Sequence, residues 1–186
     1  MRIHRRVFVS AAALLTAELA SNRVFATLMR GLPLRDLVAQ SHHILLLTAL
    51  DSRCRYLDIG GRRHIVTETR ARIDDVLASA VPSAGQVVVS TLGGKLDGVG
   101  ELVHGQAEFS LGAPCVAFLA RGADGSLWVT GMSQGHYPVL AAGADPTLAA
   151  SPHLATLRDF EHSAVRALVG QKLTEATRLV REASAP

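Results

Sequence analysis

Between Ile44 and Val139 the chain is a succession of strand-length apolar stretches separated by glycine, proline and Asp-Gly, and this punctuation restricts it to a small β-rich fold. Ile44-Leu45-Leu46-Leu47-Thr48-Ala49-Leu50 is a continuous apolar run that predicts a buried strand. After Ile59-Gly60-Gly61, the segment His64–Ile73 alternates polar and apolar residues and predicts a half-buried strand. A turn over Pro82–Gly85 leads to a partner strand, Gln86–Leu92. Cys115–Ala120 and Leu127–Thr130 form a further pair around Ala123-Asp124-Gly125-Ser126, an Asp-Gly hairpin signal. His136–Val139 predicts an edge segment, where Pro138 is tolerated. Gly93–Gly112 lacks periodicity and reads as a long loop.

Helical signals flank this region. Leu32–Val38 predicts a short helix with Pro33 in its first turn. Residues 141–155, rich in Ala, Gly and Pro, read as a linker to a C-terminal helical segment over 156–184. Thr156-Leu157-Arg158-Asp159 has the form of a capping box. Leu157, Phe160, Ala164 and Leu168 then fall on one stripe, with Val165 and Val169 beside it; Gly170 ends or weakens the helix. Five strands with a helix at each end predict a mainly β, small closed barrel of OB type over 27–140. Such closure sets the first strand antiparallel to the fourth. Cys54, just past the first strand, and Cys115, opening the fourth, are then placed to form a disulfide.

The first 26 residues stand apart from the fold. Met1-Arg2-Ile3-His4-Arg5-Arg6 is basic, Val7–Ala17 is an apolar run of 11 residues, and Val24-Phe25-Ala26 supplies a small-residue cleavage pattern. The run is too short to span a bilayer. Arg5, Arg6 and Phe8 resemble the twin-arginine export motif, with the general secretory route as the alternative. Cleavage after Ala26 would release a mature chain beginning at Thr27, in the periplasm or medium of a bacterium. Four of the 19 Lys and Arg residues (Arg2, Arg5, Arg6, Arg23) and one of the 16 Asp and Glu residues (Glu18) lie in this segment. The mature part therefore carries 15 of each sign. Zero net charge and 4% aromatic content argue against nucleic acid or an anionic lipid surface as partner, and no membrane span is expected in the mature chain.

Few residues suggest chemistry. Gly131-Met132-Ser133-Gln134-Gly135 matches Gly-x-Ser-x-Gly, the nucleophile elbow of serine hydrolases, but Gly135-His136-Tyr137-Pro138 leaves no room for the helix that an elbow needs. His42 and His43 are neighbours on a strand and point to opposite faces. His64, His104, His136, His153 and His162 show no zinc-ligand spacing, so no metal or other cofactor is expected. Asp74-Asp75 and Glu101 with Glu108 are read as solvated charge.

From Ser41 to Val139 the strand spacing resembles the netrin-like domains, which include the tissue inhibitors of metalloproteinases. The shared features are a long strand pair ending in Asp75-Val76-Leu77 and the run Gly112-Ala113-Pro114-Cys115-Val116-Ala117-Phe118-Leu119. The chain is also similar to exported bacterial proteins carrying Ile-Val-Thr, Gly-Gly and Gly-Met-x-Gln-Gly at these places. The inhibitors reach the protease metal through an N-terminal cysteine; Thr27 stands there instead, so that activity is not implied. The expected role is a non-catalytic binding or interaction module whose partner the sequence does not name, another exported protein being the candidate. The alternative is a small hydrolase using Ser133.

Overall fold

The computed structural model describes residues 28–79, 85–140 and 144–185. The expected export motif, the cleavage site after Ala26, Thr27, most of the Pro82 turn and residues 141–143 lie outside the described residues. Among the described residues the fold is mainly β, with one large sheet, two small ones and three helices. Its strands are β1 (Leu28–Arg30), β2 (His43–Ile59), β3 (Arg62–Ser79), β4 (Gln86–Leu92), β5 (Gly94–Leu96), β6 (Val99–Glu101), β7 (Pro114–Arg121), β8 (Leu127–Val129), β9 (His136–Leu140), β10 (Thr147–Leu148) and β11 (Thr156–Arg158). The helices are α1 (Leu34–Ala39), α2 (Ala164–Leu168) and α3 (Leu173–Ser184).

The large sheet has the order β10-β9-β7-β2-β3-β4-β8. β8 also pairs on its other side: parallel with β4 through Val89↔Leu127, antiparallel with β7 through Leu119↔Val129. Hydrogen-bonded neighbours β7-β2-β3-β4-β8 therefore lead back to β7.

The apolar runs of β2 and β7 are continuous because both faces are buried. Ile44, Val116 and Phe118 enter one cluster with Leu37, Tyr137, Leu148, Leu168 and Val180, under the helices. Their sequence neighbours Leu45, Cys115, Ala117 and Leu119 enter a second with Ala71, Ile73, Val89 and Phe109.

Three expectations are corrected. β2 does not end at Leu50. A register shift between Ala49 and Asp51 absorbs Leu50 as a bulge, and the strand continues to Ile59 with its alternation re-phased. That extension removes the expected disulfide: Cys115 faces Leu47 across the β2–β7 ladder, whereas Cys54 lies seven residues farther along β2, opposite Thr67. Seven residues of strand span roughly 23 Å, beyond any disulfide. Both thiols are free; Cys115 is buried, and burial first, with Asp74 second, pushes its pKa up to about 12. Alkylation of the native protein without reductant should therefore mark Cys54 alone, with Cys115 reacting only after denaturation; a mass showing neither labelled after denaturation would establish the bridge.

The second correction concerns the C-terminal third. The described part of 141–155 is no free linker: β10 extends the sheet beside β9, and Ser151 is buried. The Thr156 capping box does not form, because Thr156–Arg158 pairs in parallel with Leu28–Arg30. The working N-cap is Ser163, whose Oγ accepts from the Arg166 N–H at 3.2 Å. Helix α2 turns Ala164, Val165 and Leu168 inward and leaves Phe160 42% exposed before it.

Thirdly, Gly93–Gly112 is not structureless. It holds the β5–β6 hairpin and then a segment whose Gln106, Ala107 and Phe109 are buried, with the Gly112 N–H donating to the Ala49 carbonyl at 2.8 Å.

Candidate functional site

Along β3, the face that carries Ile73 and Ala71 into the second core cluster changes chemistry toward Thr69 and Thr67. Register continues this change across three strands. Ser52, Thr69 and Val89 form one row, and Cys54, Thr67 and Thr91 the next. An aliphatic wall thus becomes a hydroxyl wall within one strand repeat. Above it lies a cup of about 550 Å³, closed opposite by the segments Glu101–Phe109 and His153–Thr156. Thr69, Thr91 and Gln106 line it with relative exposures of 2%, 5% and 9%. Among the described residues, their side chains have no hydrogen-bond partner. Thr67 Oγ1 is committed to the Gly93 carbonyl at 2.7 Å, which fixes the floor.

Two Glu–His pairs hold the cover in place. Glu101 accepts from the Ile65 N–H at 2.5 Å and bonds His64 Nδ1 at 2.7 Å, tying the β5–β6 hairpin to β3. The His64 bond chiefly, and the Ile65 N–H next, hold the Glu101 carboxyl below the usual carboxylate range. Glu108 bonds His153 Nε2 at 2.6 Å and joins the two covering segments.

The Gly-x-Ser-x-Gly segment lies elsewhere and does structural work. Met132–Gly135 is one 3₁₀ turn, followed directly by β9 rather than by an α-helix. Ser133 is fully buried, its Oγ without a partner and its N–H donating to the Gly105 carbonyl at 2.9 Å. Gln134 clamps the N-terminal segment: its Oε1 accepts from the Leu32 N–H at 2.9 Å and its Nε2 donates to the Arg30 carbonyl at 3.1 Å. A Cβ at Gly135 would stand 2.2 Å from the Thr130 oxygen, and Gly131 takes φ +65° beside Leu32. The glycines serve this close packing. His136 bonds Ser151 Oγ at 3.2 Å through Nδ1 and meets the Phe109 ring edge-on at 4.9 Å.

Of the residues singled out in the sequence, Glu101, Glu108, His104 and His153 line the cup, whereas Ser133, His136, Cys54 and Cys115 do not. Asp74 and Asp75 are on β3, with Asp74 paired to Arg72 at 2.6 Å. Among the described residues no three His, Cys, Asp or Glu side chains are grouped as metal ligands, and no helix is long and apolar enough to cross a membrane. The reading of single residues missed Thr69, Thr91 and Gln106. Their signal was threonine replacing aliphatic residues on the inward phase of two strands. Comparison with protein-family models, curated proteins and solved structures finds no match to this chain.

Proposed function

We propose that this protein is an exported, non-catalytic binding module of OB-type barrel architecture, and that its ligand occupies the cup above Thr67, Thr69 and Thr91. The observation that carries the reading is the cup wall, where Thr69, Thr91 and Gln106, each largely buried as a residue, turn side-chain polar groups with no protein partner into the open cavity. Donors and acceptors left free on a cavity wall are what a ligand needs in order to replace the hydrogen bonds it gives up on leaving water. The pairing of β8 with both β4 and β7 supports the barrel. Arg5, Arg6 and Phe8 support export to the periplasm or medium.

The hydrolase alternative needs a solvent-facing serine beside a base, and Ser133 is sealed within the protein. A fluorophosphonate probe should leave the purified domain unlabelled; stoichiometric modification of Ser133 would restore the hydrolase. Changing Arg5 and Arg6 to lysine should hold the precursor in the cytoplasm, and unimpaired export of that variant would assign it to the general secretory route.

A further inference from the structure

We infer, building on the binding role just assigned to the cup, that its ligand is a small organic cation, an amine or guanidinium carrying hydrogen-bonding groups. The lining holds two carboxylates, Glu101 and Glu108, and no lysine or arginine. The fixed charge of the lining is therefore acidic. The arginines nearest in sequence are turned away. Arg70 pairs with Asp51, and Arg53 and Arg55 with Glu68, on the β2–β3 face opposite the threonine rows. An anion entering the cup would meet like charge with no compensating cation. A neutral polyol would satisfy Thr69, Thr91 and Gln106 yet bring no positive charge to the two carboxylates. A protonated amine satisfies both sets: it neutralises the rim while its polar groups reach the hydroxyls and amide of the cup wall.

Three linear five-carbon probes of matched length separate these cases: the diamine cadaverine, pentanediol and the diacid glutarate. Each is titrated into the full domain at neutral pH and low salt, with backbone amide shifts as the readout. Cadaverine should shift the amides of Thr91, Gly94 and Gln106 and bind about tenfold more tightly than pentanediol, as expected for two half-exposed ion pairs, while glutarate leaves them unmoved. Added salt should weaken cadaverine but not the diol. Glu108→Gln, which removes the charge at an exposed position while keeping an amide to bond His153, should cut cadaverine affinity about threefold and pentanediol affinity by clearly less. Equal binding of diamine and diol, with Glu108→Gln changing both by the same factor or neither, would overturn the cation and keep a neutral-polyol cup. Cup shifts with glutarate alone would overturn it in favour of an anion. No cup shifts with any of the three would overturn the cation and the binding role together.

Discussion

Lowering the pH from 6.5 to 4 should remove about 3 kcal/mol of folding stability through one side chain, His136. The imidazole is 2% exposed, and desolvation holds its pKa down to about 4 from an ordinary 6.5. The sign follows from proton uptake. Between those values the unfolded chain binds a proton that the folded chain refuses, so acid favours unfolding; each pKa unit is worth about 1.4 kcal/mol. Above pH 6.5 the group is neutral in both states and this contribution to stability is complete. His43, shifted in the same direction chiefly by burial, steepens the loss. Urea unfolding at a series of pH values measures it. His136→Gln, which keeps a partner for Ser151, should lose stability at neutral pH but flatten the slope between pH 6.5 and 4. An unchanged slope in that variant would place the acid sensitivity elsewhere.

The second large effect lies in the C-terminal third. Leu168 is fully buried in the cluster shared by Phe118, Tyr137 and Val180, so Leu168→Ala should cost about 2–5 kcal/mol. Phe160, 42% exposed on the turn before Ser163, should cost about 1 kcal/mol or less when changed to alanine. The pair is diagnostic because a single helix beginning at Thr156 would bury both on one stripe and give both variants large losses. Chemical denaturation of the two proteins side by side decides the matter.

The legible part of this fold was local. Asp124-Gly125 marked the β7–β8 hairpin, Pro33 the start of α1, and the doubly apolar runs at 44–50 and 115–120 the two strands with cores on both faces. What failed was non-local. Leu50, as a bulge, shifts the phase of β2, so the charged residues that follow continue the strand instead of ending it. Thr156 makes a good N-cap in isolation, but pairing with Leu28–Arg30 overrides it, and Ser163 takes the role. The cup was illegible for a related reason. Thr67, Thr69 and Thr91 signify little until register sets them in adjacent rows, and Glu101 and Glu108 look like solvated charge until the loop bearing them folds over those rows.

The central claim, that the cup is where this protein binds, is tested most directly by amide-shift mapping of the purified protein against a panel of small amines, polyols and carboxylates. A plugged variant, Ala155→Trp on the cup wall, is mapped in parallel. The account predicts shifts gathered on Thr67, Thr91, Gly94 and Gln106 in the unaltered protein and their loss in the plugged one. Shifts that survive the plug, or that gather instead in the groove formed by Arg35, His42 and Ala183, would contradict it.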